Sequence, residues 1–375
     1  MPLESPEFHT SLQKLLVSLI LILVPLTVFG FYVAMQGDSH LRQMNGENFR
    51  ALTLTSAEST SEFIATCVRD VSVIANSPSP IQAVALSNRQ YEHLSEEAVS
   101  TKINAIEQTW ESSQTDGLST KMLTSDVAQQ LRRIRELNPK LLRITVADVT
   151  GATVAATDRP LHYFQTDRDS WRALASRSQG TINVSDLRYD DQSHLYYVSI
   201  AYPILQEGTG RFIGAVIAMA DISPLFAKLN RWQMGRTGRL FLVQEDGTVV
   251  EARGVTPAMK MKSEEYAAIR DALGSLRGRG AGYIYATLSN GESYLIGFAD
   301  TGLKEAYPNL PWIVLASQET RELSGPVRNM IVFALLVMVL ALLMLSLLGA
   351  YVFLHRKEEL EDIETPGDKQ NPVAA

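Results

Sequence analysis

Cysteine is nearly absent: Cys67 is the only one in 375 residues, so no intramolecular disulfide can form. It falls on an apolar helical stripe and reads as a small buried hydrophobe. Histidine is scarce too, and His9, His40, His93, His162, His194 and His355 lack the spacing of a zinc site. There is no basic excess: 34 Lys and Arg face 41 Asp and Glu, a net charge of -7. Nucleic acid is thereby excluded as a partner, since phosphate binding needs a concentrated basic face. No Gly-x-Ser-x-Gly elbow, His-Glu-x-x-His helix or Walker loop occurs. Gly278-Arg279-Gly280-Ala281-Gly282 follows a helix and precedes a strand, the reverse of a nucleotide loop. The chain is expected to be no enzyme and to carry no metal or other cofactor.

What the chain does have is two long uncharged apolar windows. The first, 15–35, would reach ~32 Å as a helix, enough for a bilayer core of ~30 Å. It is longer than the ~7–15 apolar residues of a signal peptide and ends in a poor cleavage site, so an uncleaved anchor is expected. The second is 330–354, closed by His355-Arg356-Lys357. Two spans place residues 1–14 and 355–375 on one side, and Lys14 with Arg356 and Lys357 places that side in the cytoplasm. The expected location is the cell's inner (plasma) membrane, two-pass, with the main domain periplasmic or extracellular. The mostly acidic tail 355–375 reads as disordered and too short for an output domain.

Between the windows the periodicity changes character. From Asp38 to about Ala75 the pattern is one long helix, with Phe63, Cys67, Val71 and Ile74 at helical spacing. Ser77-Pro78-Ser79-Pro80 ends it. A second helical region carries Leu94, Val99, Ile103, Ile106 and Trp110, then a loop is expected over 112–119, and Ser125-Asp126 starts another helix. From Leu141 the period becomes two. Strands are expected over 142–149, 152–157, 194–202 and 212–220, followed by a short helix from Ser223 to Trp232. The pattern then restarts with strands at 240–245 and 248–252, a helix at 263–276, a hairpin turning at Ser289-Asn290-Gly291, and a last strand at 312–317. Strand, turn, strand, helix and antiparallel meander occur twice, which predicts an α+β chain of two tandem modules with antiparallel sheets.

The residues that carry a family resemblance are Ile144–Thr157 with its Asp-Val-Thr-Gly turn, Asp167–Trp171, Tyr189-Asp190-Asp191, Ala201–Ile204 and Ile213–Asp221. Gly235–Val243, Asp246–Val250 and Pro311-Trp312 continue it in the second module. This stretch, roughly 36–328, resembles the double Cache (dCache) sensor domains of bacterial chemoreceptors and sensor kinases. The resemblance implies paired PAS-like modules on a long N-terminal stalk helix between two transmembrane helices. The membrane-distal module would occupy 36–232 and the membrane-proximal one 233–328. In members that bind amino acids, a distal pocket holds the carboxylate with arginine, tryptophan and tyrosines, and the amino group with two aspartates. Carried over, that implies Tyr163, Arg168, Trp171, Tyr189, Asp191, Tyr202 and Asp221 as ligand-binding residues. The spacing of Arg168 and Trp171 departs from the family by one residue. Asp221 is equally placed to cap the helix from Ser223, and Tyr189 to be a turn residue.

The expectation is therefore a membrane-anchored extracytoplasmic sensor subunit for an amino acid, amine or organic acid. Its partners would be that ligand, the lipid bilayer, a separate signalling protein carrying the output, and a second copy in a homodimer. The alternative is a non-catalytic envelope adaptor with a degenerate pocket.

Overall fold

The computed structural model describes residues 11–112, 117–165, 171, 181–252, 260–275, 280–323, and those from 332 to 350 apart from 334, 337, 345 and 348. The chain divides into two compact units, residues 46–319 forming one and 1–45 with 320–375 the other. Helix α1 is Ser11–Ala75. α2 is Pro78–Asn88, and its prolines sit in the first turn, where a missing amide costs no hydrogen bond. α3 (Glu96–Ser112) and α4 (Gly117–Thr124) follow, so helix occupies part of the stretch expected as loop. α5 (Asp126–Leu137) is capped as its sequence predicts, Ser125 Oγ accepting from the Ala128 amide at 3.2 Å.

Two antiparallel sheets come next. The first holds β1 (Leu141–Asp148), β2 (Thr153–Ala156), β3 (Asn183–Val184), β4 (Arg188–Asp190), β5 (Leu195–Leu205) and β6 (Phe212–Asp221). Its order is β2-β1-β6-β5-β3, with β4 also on β5. α6 (Ser223–Arg231) links it to the second sheet. That sheet holds β7 (Arg239–Gln244), β8 (Val249–Glu251), β9 (Ala281–Thr287), β10 (Ser293–Asp300) and β11 (Trp312–Glu319), in the order β8-β7-β11-β10-β9. α7 (Glu264–Ser275) packs on it, and α8 (Leu303–Ala306) precedes its last strand. The two orders are the same topology written twice.

Within the 46–319 unit, α1 is the shared spine. Ile64, Cys67, Val71 and Ile74 form an unbroken buried stripe, and burial pushes the Cys67 thiol up to about 11. Asn138 Nδ2 donates to Asp70 at 2.6 Å, and Lys140 Nζ lies 5.5 Å from the centre of the Phe63 ring. Further toward its N-terminus the helix meets the second sheet. A Cβ on Gly297 would stand 2.9 Å from the Phe49 backbone, and one on Gly46 2.1 Å from the Tyr283 ring. In the first module, α2 covers the same side of its sheet: a Cβ on Gly214 would stand 2.8 Å from Val84.

In the other unit, the described residues from 332 to 350 are helical and expose Phe333, Leu336, Leu340, Leu343, Met344 and Leu347. Among the described residues, however, no helix is long and apolar enough to cross a membrane. The spans expected at 15–35 and 330–354 are not shown; most side chains of the first and residues 351–354 of the second lie outside the described residues, as do 1–10 and the tail 355–375.

Two predictions follow from this packing. Gly297→Ala places a methyl against backbone that cannot rotate away, and should cost about 1–3 kcal/mol, read as a lower urea midpoint. Glu251 behaves differently. Burial raises its carboxyl pKa, opposed by the 2.6 Å hydrogen bond from Asn230, whose buried Oδ1 has no partner. Across the interval between the unfolded and raised folded pKa, the native state holds more protons, so stability falls as pH rises. Glu251→Gln abolishes that loss and offers an amide donor to Asn230 Oδ1. It should raise Tm near neutral pH by about 2–4 °C and leave it unchanged below about pH 4.

Candidate functional site

The two modules are built from one local motif. Gly151 (φ 88°) and Gly247 (φ 84°) close the β1–β2 and β7–β8 turns in the left-handed region, which glycine enters without steric cost. In each, the glycine amide bonds back to a carbonyl three residues earlier, Asp148 at 3.0 Å and Gln244 at 2.8 Å. In each, the glycine carbonyl also accepts from a later amide, Gln165 at 2.8 Å and Ser263 at 2.9 Å. Asp148 secures the first turn further. Its buried carboxylate accepts from Ser87 Oγ (2.7 Å), from Thr150 Oγ1 (2.6 Å), and from the Thr150 and Ala152 amides.

Strand alternation then sorts the first sheet into two faces. Ile144 and Val146 pair with Ala218 and Val216, and these with Ile200 and Tyr202, on the face that meets α2. Arg143, Thr145 and Ala147 pair with Met219, Ile217 and Ala215, and these with Ser199, Ala201 and Pro203, on the other. Trp171 packs on this second face against Ala147, Ala201, Ala215 and Ile217, with the Phe212 ring at 5.7 Å. The Arg143 guanidinium reaches Asp190 at 3.2 Å and also pairs with Gln192. Burial works against ionising Asp190, yet hydrogen bonds from Ser193 and the Arg143 charge hold its carboxyl below the ordinary range. Ser199, on the far side of Met219 from Arg143, is 3% exposed, and its hydroxyl has no hydrogen-bond partner among the described residues. A cavity of about 30 Å³ lies on this face beside Arg143, Thr145, Gln165, Ile217 and Met219, the room of one water among the described residues.

The residues expected to form the pocket are dispersed. Trp171 and Asp221 belong to the Arg143 face, Asp221 opposite Tyr197. Asp221 Oδ1 accepts from the Ser223 amide at 2.8 Å, while the cap position of α6 is Ile222, which makes no side-chain cap bond. Tyr163 is buried in a separate cluster with Trp110, Met122 and Ala152, its ring 5.8 Å from Trp110. Burial, with Tyr91 and Asp148 nearby, raises its hydroxyl pKa. Tyr189 lies directly across from Tyr196 and so shares the opposite face, as does Tyr202. The exposed Tyr189 ring stands 5.0 Å from Tyr196 and opens on a cleft of about 420 Å³ beside Gln244, Asp246 and Thr248 of the second module. Asp191 is an exposed turn residue, and its neighbour Asp190 makes the ionic contact instead. Arg168 lies outside the described residues.

Arg143, Asp190 and Ser199 escaped the sequence reading. A signal existed: Arg143 precedes Gly151, and Arg239 precedes Gly247, by the same interval of eight residues. Among the described residues no group of His, Cys, Asp and Glu could hold a metal ion.

Comparison with known proteins bears on this architecture. No curated protein matches the chain. Among solved structures, it is similar to the sensory domain of the Campylobacter jejuni chemoreceptor Tlp3, at 12% identity and TM-score 0.49, over 76% of this chain and 98% of that one. It is also similar to the ligand-binding domain of the Pseudomonas aeruginosa chemoreceptor PctB in complex with L-Arg, at 16% identity and TM-score 0.40, over 75% and 94%. A third is that of the Pseudomonas fluorescens chemoreceptor CtaA in complex with L-isoleucine, at 15% identity and TM-score 0.42, over 78% and 97%. The double Cache model, described as a Cache domain, matches residues 40–327, most of the sequence. With two sheets of one topology and one turn motif inside those limits, the chain belongs to the double Cache (dCache) domain family.

Proposed function

We propose that this chain is a membrane-anchored extracytoplasmic sensor subunit. It binds a small molecule, an amino acid or amine, on the Arg143 face of its first module and passes the change to a separate signalling protein. Cache domains are ligand-binding rather than catalytic, which fits a non-enzyme. One observation carries the choice of site: among the described residues the buried Ser199 hydroxyl has no partner, and it lies on the same sheet face as Arg143. Buried polar groups in native proteins are almost always hydrogen-bonded, so such an atom marks a place where something binds. Arg143 matches a carboxylate, Asp190 and Asp221 an ammonium group, and Trp171 supplies an apolar wall. Anchoring is supported by the uncharged windows 15–35 and 330–354 and by the apolar residues exposed around 332–350. With residues 1–14 and 355–375 cytoplasmic, the body faces outwards.

A ligand can bias a receptor only through its different affinity for two conformations. The turn bearing Asp190, Gln192 and Ser193 is the natural moving part, because Arg143 ties it to β1 through side chains alone. The adaptor reading draws on the water-sized space left on this face.

The experiment is calorimetric titration of the full-length chain in detergent with a panel of amino acids and amines. At least one should bind. Arg143→Gln should weaken it about 10–100-fold, the worth of a hydrogen bond to a charged group, and Ser199→Ala by a smaller factor. Tyr189→Ala, on the other face, should leave affinity unchanged. Loss of binding in Tyr189→Ala with Arg143→Gln unaffected would move the site to the inter-module cleft. No binding by any member would favour the adaptor.

A further inference from the structure

We propose that the second module carries a small-molecule site of its own, for a short monocarboxylate with an apolar tail, on the sheet face beside Arg239. It does not depend on what the first module binds. The starting point is the duplication: Arg239 stands in β7 where Arg143 stands in β1, paired with Ser317 of β11 as Arg143 is with Met219 of β6. The surroundings differ in a way that makes room. A cavity of about 310 Å³ opens here, against about 30 Å³ beside Arg143 among the described residues. That is the low end of the ~300–1,000 Å³ occupied by small-ligand sites. Phe241, Val249 and Ala252 line it with Met261 and Leu288 on one side, and polar and charged residues line the rest.

The charged side chains around it are held by hydrogen bonds or ion pairs. Glu265 is 3% exposed at its side chain; it pairs with Arg239 and accepts from Ser263 Oγ at 2.9 Å and Ser317 Oγ at 3.2 Å. Glu264 accepts from the Ser289 hydroxyl at 2.7 Å, and Lys262 is held by Asp246 at 2.6 Å and Thr248 at 2.7 Å. Those bonds and the Lys262 charge hold the Asp246 carboxyl down at about 2. Arg239 is anchored by Glu265, by Nε to Ser317 at 3.3 Å, and by the Phe241 ring 5.2 Å away, yet its side chain stays 50% exposed. Its Nη1 group makes no hydrogen bond among the described residues. An arginine fixed along one edge and open along the other is preorganised to receive a carboxylate. The apolar wall admits a short aliphatic tail and opposes a second charge, which would be buried without a partner. Tyr294 and Asn290, joined by a 3.0 Å hydrogen bond, close the polar rim.

The test uses the full-length chain in detergent with sodium propionate and sodium butyrate, against sodium chloride and neutral propionamide, read by ligand-observed NMR and thermal shift. Both carboxylates should bind and propionamide should not. Arg239→Lys keeps a counter-ion for buried Glu265, so the module still folds, but loses the planar fork and should bind about tenfold more weakly. Ala252→Phe fills the cavity and should abolish binding, whereas Arg143→Gln should leave it unchanged. Absence of carboxylate binding, equal binding of propionamide, or full binding in both Arg239→Lys and Ala252→Phe overturns the proposal. Loss of propionate binding in Arg143→Gln does too, by placing the ligand in the first module.

Discussion

A β-sheet has two faces, and a spine made of one helix can cover only one of them. In this molecule α1, with α2, takes the face formed by alternate strand residues, and the approach is close enough to require glycine where backbone or ring meets backbone. Phe49 against Gly297 and Tyr283 against Gly46 lock the spine to the second sheet, while Asp70 and Phe63 tie it to the first module. Strand alternation decides which side chains stand on the other face.

The turn glycines set that alternation. Gly151 and Gly247 pin the start of each sheet, so a residue eight positions earlier emerges on the uncovered face in both modules. Both copies place arginine there, and both give it an acid, Asp190 from the β4–β5 turn in one and Glu265 from α7 in the other. From that common start the modules diverge. In the first, Trp171 packs against Ala147, Ala201 and Ala215. In the second, α7 packs Tyr266 and Ile269 further along the sheet, and the Arg239 end stays open.

Much of this was legible beforehand. Helical spacing of Phe63, Cys67, Val71 and Ile74 revealed the spine, the Ser125 cap marked α5, and Asn290-Gly291 the β9–β10 hairpin. The repeated strand–turn–strand sentence revealed the two modules. The candidate site was less legible. The family resemblance implies Tyr189 and Asp191 of the Tyr189-Asp190-Asp191 run, and in the structure it is Asp190 that pairs with Arg143. Asp190 reaches Arg143 because the turn bends it back over the sheet, while Asp191 points to solvent at the tip. Tyr189 and Tyr202 lie on the opposite face of the same sheet from Arg143, because their positions are one residue out of phase with its partners. α4 was missed because Gly117-Leu-Ser-Thr has low helix propensity, and burial of Met122 beside Trp110 and Tyr163 supplies the missing stabilisation.

The amino-acid sequence alone determined the long helix and the main strands, that the module is duplicated, and the family to which it belongs. Those properties are local or periodic, so they can be read from propensity and spacing within a window of a few residues. Only the tertiary structure decided which aromatic and charged side chains share a face. That depends on register between strands far apart in the chain, where a shift of one residue turns every side chain to the other side of the sheet.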